Sequence, residues 1–253
     1  MSEFVPLGSL EERGFRRIVC YPRFDSEEFG KRLSEMEGLS VEALSFTGNK
    51  TINNVQVLGK GYVGVVILAK TKVELAAVKV RRTDSGREGM GHEAEVLAKA
   101  NSVGVGPKLI GCSENILLME YVDGSPFPKW IEGLKATKKS LFTAKNVLNE
   151  VLEQCWRLDE ASVDHGELSN AQKHILVRDN GRVCILDFES ASVGRRVSNV
   201  TSVCHYLFVR SSVAEVVREK VVDVDSALLL GALRRYKEDR TRSSFEAVLK
   251  IVF

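Results

Sequence analysis

The sequence predicts an α+β protein with a β-rich first half and a helical second half, and two observations carry this prediction. Over residues 51–80, β-branched residues recur in short runs broken by glycine and charged residues, which is typical of strands. Over residues 144–156, apolar residues recur at the three- and four-residue spacing of one face of a long helix. A strand-rich segment followed by a helical one indicates an α+β plan with two lobes.

Length and composition are ordinary for a globular protein. The chain has 253 residues, which is enough to bury a sizeable core. Its net charge of +2 gives no general basic field for binding nucleic acid. Its five cysteines are scattered without a CxxC pair, which argues against a disulfide framework or a zinc site. The N-terminus lacks a signal-peptide pattern and no apolar run is long enough for a membrane span, so we expect a cytoplasmic protein without a membrane partner.

Residues 1–50 are expected to form a small N-terminal unit appended to the rest. Residues 18–21 have the composition of a short strand. Asp25 and Glu28 match a capping box at the start of a helix, and residues 41–46 are expected to be extended. This unit is a candidate surface for a partner in a complex.

Residues 51–121 are expected to form the first lobe. After the strands, residues 86–100 predict a helix that Asn101 and the glycine-rich segment 104–107 end. Two more strands are predicted at residues 107–112 and 116–121.

Residues 122–253 are expected to form the helical lobe. Thr143 is a candidate cap for its long helix. Residues 175–177 and 183–186 predict a hairpin, and helices are expected from residue 198 onward. Ser243 and Glu246 match a capping box for the last helix.

The most informative motif is glycine-rich and covers residues 59–66. A Walker A loop would end in Gly-Lys-Ser/Thr, which is absent, and a Rossmann loop would open a helix, whereas strand-forming residues follow Gly64. A glycine-rich β-hairpin remains, in which Gly59, Gly61 and Gly64 let the backbone approach nucleotide phosphates. The alternative is a plain flexible hairpin.

Lys79 lies in the middle of the apolar strand that follows the glycine motif. A buried lysine needs a negative partner, and Glu93 lies on the helix predicted after this strand. Glu88 and Glu95 are the alternative partners. An ion pair with Glu93 would hold the lysine amine against phosphate oxygens, whereas a lysine on an edge strand would point to solvent.

Five features together resemble the protein-kinase-like superfamily. They are the glycine loop, Lys79, the hinge-like residues 118–124, and two acidic motifs, Asp164-His165-Gly166-Glu167 and Asp187-Phe188-Glu189. The His-Gly pair before the acid is similar to RIO kinases, the KEOPS-complex kinase and aminoglycoside phosphotransferases. The segment after Asp187 is short and lacks an Ala-Pro-Glu motif, so the chain resembles the reduced RIO-like plan most. The resemblance implies a bilobal protein-kinase-like fold with a β-rich N-lobe and a reduced helical C-lobe.

The resemblance also implies roles for individual residues. Lys79 would contact the phosphates, Asp187 would hold a divalent cation, and Glu167 would orient or deprotonate the acceptor hydroxyl. The implied cofactors are ATP and Mg²⁺ or Mn²⁺. The implied cofactor-binding residues, besides Lys79, are Gly59, Gly61, Gly64, Val66, Glu93, Met119, Glu120 and Val122. His165 is expected to be architectural.

Two residues depart from the kinase pattern. Glu167 replaces the usual Asp, and a displacement of about 1 Å at such a group can cost roughly 10²-fold in rate. His174, whose spacing to Asp187 matches that of the family, takes the position of the metal-binding Asn if a short insertion follows Glu167. Because imidazole suits Mn²⁺ better than Mg²⁺, we expect either a preference for Mn²⁺ or a metal held by Asp187 alone. The alternative for His174 is a buried, hydrogen-bonded side chain or a phosphate contact.

Three functions are compatible with these residues. The leading hypothesis is an ATP-dependent, RIO-like serine/threonine kinase that acts on a protein substrate or on itself. The second is a nucleotide-binding switch, weak ATPase or pseudokinase within a complex, and the third is a small-molecule phosphotransferase. Residues 124–164 leave little room for the acceptor pocket of the third. The basic turn Gly194-Arg195-Arg196 is read most simply as solvated, with an anionic substrate contact as the alternative.

Overall fold

The computed structural model describes residues 3–253 and divides into two compact units. The first runs to Ala98 and includes Pro107–Tyr121, and the second contains Lys99–Gly106 and Val122–Phe253. In total, 44% of the chain is helical and 20% is strand, with the large sheet in the first unit and most helices in the second. The α+β prediction is therefore confirmed.

The first unit is built on an antiparallel sheet. Its strands are β1 (Val5–Pro6), β2 (Val41–Ser45), β3 (Lys50–Ile52), β4 (Val55–Val57), β5 (Gly59–Lys60), β6 (Gly64–Thr71), β7 (Leu75–Arg81), β8 (Leu109–Cys112) and β9 (Ile116–Glu120). Its helices are α1 (Arg16–Val19), α2 (Ser26–Gly38) and α3 (Gly91–Ser102), whose last turn belongs to the second unit. The sheet order is β1-β2-β6-β7-β9-β8, β5 pairs with β6, and β3 and β4 form a separate hairpin.

One face of this sheet is covered by residues 3–50. Side chains alternate along a strand, so every second residue of β6, β7 and β9 points to this face. The shared core includes Val65, Ile67, Ala69, Ala76, Val78, Val80, Ile116 and Leu118 from the sheet, with Val5, Leu10, Ile18, Phe29 and Met36 from the N-terminal segment. That residues 1–50 form an appended unit of their own stays a prediction, because a core shared with the sheet does not show whether they act as a module.

The N-terminal elements differ from expectation at one place. The strand predicted at residues 18–21 is wrong, because Arg16–Val19 form a short helix whose Ile18 and Val19 are buried. So short a segment does not distinguish the strand period from the helix period. The helix predicted after Asp25 is confirmed, since the Asp25 carboxylate caps α2 by accepting the Glu28 backbone N–H at 2.9 Å.

Glu35 ties α2 to the turn between β8 and β9. Its carboxylate accepts hydrogen bonds from the Ser113 hydroxyl and from both the backbone N–H and the side-chain amide of Asn115, the latter two at 2.7 Å. Asn115 is fully buried, and its Oδ1 accepts Arg81 Nε at 2.9 Å. Burial disfavours the charge on Glu35, but these hydrogen bonds outweigh that effect and lower its pKa below the ordinary value of a glutamate.

Replacing Glu35 by alanine is expected to lower the free energy of unfolding by about 2–3 kcal/mol, because it leaves buried donors of Asn115 unpaired. Since the folded state lowers the pKa of Glu35, its stabilisation is present above the ordinary pKa and lost as the pH falls through the lowered value. Urea unfolding near neutral and at acid pH measures both effects. The exposed Glu37 on the same helix supplies the control, E37A. A loss of stability that does not shrink on acidification would contradict the assignment.

The second unit is mainly helical. Its helices are α4 (Phe127–Glu132), α5 (Lys138–Glu160), α6 (Asn199–Cys204), α7 (Ser212–Lys220), α8 (Ser226–Glu238) and α9 (Arg242–Val252). Its strands are β10 (Ser125–Pro126), β11 (Ile175–Val177) and β12 (Val183–Ile185), an antiparallel set that confirms the predicted hairpin. No helix within residues 3–253 combines the length and apolarity that crossing a membrane requires.

Two predicted helix starts in this unit are wrong. Helix α5 begins well before Thr143, where the Thr137 hydroxyl accepts the Ser140 N–H, and Thr143 instead donates to a carbonyl inside the helix. Helix α9 is capped by Thr241 rather than Ser243. The apolar periodicity marks only the buried part of each helix, so it does not define the exposed first turn.

Asp159, near the end of α5, joins α6 and α8 to the long helix. Its carboxylate accepts the Asn199 backbone N–H and side-chain amide at 3.0 and 2.7 Å, and the Tyr236 hydroxyl at 2.9 Å. Burial raises the pKa of Asp159, and these hydrogen bonds oppose the rise. Asn199 in turn accepts the His165 N–H at 2.8 Å, so the network positions the start of residues 164–167, which we call the acidic loop.

Candidate functional site

The candidate residues are divided between the two units. The glycine loop, Lys79, Glu93, Met119 and Glu120 belong to the first, and Val122, Glu167, His174 and Asp187 belong to the second. Their predicted roles in binding and catalysis stay predictions, whereas the local geometry of each set follows from the structure.

The glycine motif forms a β-hairpin, as predicted. Gly59 pairs with Val66 across β5 and β6, and the Gly61 N–H donates to the Gly64 carbonyl at 2.8 Å. Gly64 must lack a side chain, because a Cβ there would lie 2.9 Å from both Lys79 Cγ and the Val80 carbonyl oxygen. The close approach of hairpin and lysine thus depends on this glycine.

Lys79 is buried and paired with Glu93. Its Nζ lies 2.9 Å from both carboxylate oxygens, and the two side chains are only 3% and 7% exposed. Glu88 precedes α3 and Glu95 lies on its outer side, and both are exposed. The choice of Glu93 over its two rivals is therefore confirmed, and the solvent-facing alternative for Lys79 is excluded.

Val66, Lys79 and Met119 lie on one face of the sheet. Val66 is directly opposite Lys79, and Met119 pairs with Ala77, which shares the Lys79 face because it lies two residues earlier. This face is opposite the one that residues 3–50 cover. The backbone N–H of Glu120 donates to the Lys108 carbonyl at 2.8 Å, so an adenine contact through that N–H is not supported.

In the second unit, Gly166 places the acid that follows it. Its φ of +87° lies in the left-handed region, and a Cβ there would collide with Arg195 and lie 3.0 Å from the Ser190 carbonyl oxygen. Arg195 is engaged elsewhere as well, since its Nε donates to the buried Asp164 carboxylate at 2.6 Å. The reading of residues 194–196 as a merely solvated turn is therefore wrong at Arg195, whose role here is to fix the loop.

Glu167 contacts both His174 and Ser190. The Ser190 hydroxyl donates to Oε1 of Glu167 at 2.6 Å, and Nε2 of His174 lies 2.9 Å from Oε2. A carboxylate only accepts, so Nε2 of His174 is the donor. His174 is 1% exposed, and its Nδ1 has no hydrogen-bond partner among the described residues.

Asp187 follows β12 and completes this cluster. Its φ is +71°, which is unfavourable for most residues other than glycine and often marks a functional position. Its Oδ2 lies 3.6 Å from Lys173 Nζ and 3.8 Å from His174 Nδ1. The structure thus brings Glu167, His174 and Asp187 together, as the resemblance to kinases implied.

His165 is an architectural residue, as expected. Its Nε2 lies 2.9 Å from the Leu186 carbonyl oxygen, which ties the acidic loop to the segment before Asp187. Burial lowers the pKa of His165 to about 4, although the hydrogen bond to Leu186 opposes the change. The imidazole is therefore neutral at physiological pH.

Sequence reasoning missed Ser190 and Lys173 as neighbours of the acids. Ser190 is far from Glu167 along the chain, and no motif or periodicity connects the two. Lys173 carried a weak signal, because it directly precedes His174.

Comparison with known proteins gives one match. The family model of the RIO domain matches residues 70–198, which are just over half of the chain. The matched segment includes Lys79, Glu93, Glu167 and Asp187, while the glycine motif precedes it. A search of curated proteins finds no match. The chain belongs to the RIO family of atypical, protein-kinase-like proteins.

Proposed function

We propose that this chain transfers the γ-phosphoryl group of ATP to a serine or threonine hydroxyl of a protein, either its own or that of a substrate. The observation that carries the proposal is the buried Lys79–Glu93 pair beside the glycine hairpin. A buried ion pair contributes little net stability compared with apolar residues of similar size, so a functional reason for it is favoured. Kinase-like phosphoryl transfer requires such a fixed lysine on the nucleotide phosphates.

The second unit supplies the remaining roles. Glu167 would orient the acceptor hydroxyl or accept its proton. That role is supported by the Ser190 hydroxyl, which already donates to Glu167 at 2.6 Å. Met119, Glu120 and Val122 as adenine neighbours, and a protein partner at residues 1–50, stay predictions.

Asp187 and His174 fit a divalent cation that is shared with a nucleotide. Asp187 offers an oxygen donor, and the buried Nδ1 of His174, 3.8 Å away, offers a nitrogen donor. Residues 3–253 hold no cluster of three or more His, Cys, Asp or Glu side chains suited to a metal on its own. A cation such as Mg²⁺ is often bound through one or two carboxylates together with substrate phosphates, and the nitrogen donor of His174 suits Mn²⁺ better than Mg²⁺. The cation would neutralise charge on the phosphates.

Replacing His174 by asparagine is expected to shift the metal preference of the reaction. If Nδ1 of His174 binds the cation, the wild type favours Mn²⁺, and the Mn²⁺-to-Mg²⁺ rate ratio falls several-fold in H174N because an oxygen donor replaces nitrogen. Rates over a titration of each metal at saturating ATP measure this ratio. A clear preference for Mg²⁺ that H174N leaves unaltered would show that His174 does not bind the metal.

A second function, a nucleotide-dependent switch or weak ATPase, is favoured by one observation. Both oxygens of the Glu167 carboxylate have protein partners, Ser190 and His174, so only part of its capacity to accept a hydrogen bond is left for an incoming hydroxyl. Such a protein would bind ATP and release ADP slowly without producing phosphoprotein.

One experiment separates the two functions. The purified chain is incubated with ATP and Mg²⁺ or Mn²⁺, with and without casein as a general acceptor. Phosphosites are mapped by mass spectrometry and ADP is counted in parallel. Metal-dependent phosphoserine or phosphothreonine, absent in D187N and K79A, is the result expected for a kinase. ADP without phosphoprotein would favour the switch. If neither ADP nor phosphoprotein is formed, both functions are refuted.

A further inference from the structure

Glu167 is held at both carboxylate oxygens, and Ser190 supplies the shorter of the two contacts. The Ser190 hydroxyl lies 2.6 Å from Oε1, while Nε2 of His174 lies 2.9 Å from Oε2. We propose that Ser190 is a positioning residue that fixes the Glu167 carboxylate for phosphoryl transfer. This inference rests on the proposed function, because it takes Glu167 as the acid beside the acceptor hydroxyl.

Glutamate needs such a contact more than aspartate does. Its additional methylene adds one rotatable bond, and ordering a longer side chain costs more conformational entropy. The Glu167 side chain is 31% exposed, so packing alone does not restrict it to one rotamer. Two hydrogen bonds to a charged carboxylate are strong enough to select one orientation. The longer acid thereby gains a defined carboxylate position.

The backbone around Ser190 is tied to the segment that carries Glu167. Asp164 and Ser192 exchange two backbone hydrogen bonds of 2.9 Å each. Arg195 bridges the same two segments, because it donates to the Asp164 carboxylate at 2.6 Å and to the Ser190 carbonyl at 3.1 Å. The distance between the Ser190 hydroxyl and Glu167 is therefore set by a cross-linked backbone rather than by a flexible loop.

A serine that is hydrogen-bonded to Glu167, the proposed acid of the site, could instead be a phosphoacceptor. The charges argue against this at Ser190, because a phosphate there would place about two negative charges beside the Glu167 carboxylate. The contact is better suited to holding the acid than to receiving phosphate, and phosphosite mapping distinguishes the two roles.

The test is a double-substitution cycle with steady-state kinetics on ATP and casein. We expect S190A to lower kcat about tenfold, because a hydrogen bond to a charged group is lost, and to leave the KM for ATP unchanged. S190T keeps the hydroxyl and should recover most of the rate. In the Glu167→Asp background, S190A should have no further effect, because the shorter side chain does not reach residue 190. S192A removes a hydroxyl two residues away that contacts the Gly194 N–H and should behave like wild type.

Three outcomes would overturn the positioning role. They are a wild-type kcat in S190A, losses that add in the double variant, and phosphate found on Ser190 itself.

A second measurement keeps the inference separate from the proposed function. The chain has four histidines, so the Nε2–H signal of His174 can be assigned by NMR through its absence in H174N. We expect S190A, but not S192A, to shift this signal, because Glu167 loses one of its two anchors. A shift in a protein that transfers no phosphate would sustain the geometry while refuting the kinase function. Transfer without any shift or kinetic change would refute only the role of Ser190.

Discussion

Replacing Asp187 by asparagine is expected to lower the rate of phosphoryl transfer by about 10²- to 10³-fold. The carboxylate charge is the group proposed to bind the cation, and loss of one such electrostatic contact has an effect of this size. Asparagine is the appropriate substitution because it tolerates the left-handed backbone, φ +71°, that Asp187 adopts. Fold and stability should therefore change little, and initial rates with casein give the effect directly.

The matched control for this substitution is Asp179, which lies exposed in the turn of the same hairpin. D179N should keep the wild-type rate. If D187N were as active as D179N, the metal-binding role of Asp187 would be wrong, and the remaining activity would have to come from another cation site.

Removing either partner of the Lys79–Glu93 pair is expected to destabilise the protein by about 3–5 kcal/mol, because the remaining buried charge loses the group that compensates it most closely. The two side chains are only 3% and 7% exposed, so water cannot replace the lost partner. Urea unfolding of E93A, K79M and the wild type measures the loss of stability. Both variants should also lose phosphoryl transfer.

A double variant separates stability from function. In K79M/E93L an apolar pair of similar volume replaces both charges, so the free energy of unfolding should recover to near the wild-type value. Phosphoryl transfer should stay absent, because no amine remains to contact the phosphates. The exposed pair Lys31–Glu114, also in close contact at 2.8 Å, is the control, and K31A should cost less than about 1 kcal/mol. Recovery of transfer in the double variant would show that Lys79 does not act on the phosphates.

The sequence predicted the elements whose signals are local. The residues that follow Gly64 are β-branched, and they form β6 as a hairpin rather than a helix. The long apolar repeat forms α5, but it does not predict the exposed first turn at which the helix begins. The short segment around Ile18 has too few residues for its periodicity to distinguish a strand from a helix.

The candidate site also has some features that local sequence signals predict and others that they do not. The amino-acid pattern alone indicated that Lys79 needs a buried carboxylate partner, and the resemblance to kinases implied that Glu167, His174 and Asp187 belong to one site. The first conclusion follows from the cost of burying an unpaired charge, and the second follows from the family pattern, which the spacing between His174 and Asp187 matches. The folded chain alone shows that Ser190 and His174 contact the two oxygens of Glu167, and that residues 3–50 cover the sheet face opposite Lys79. The contact from Ser190 and the cover over the sheet join residues far apart in the chain, and they depend on how backbones cross and side chains pack, which no local pattern encodes.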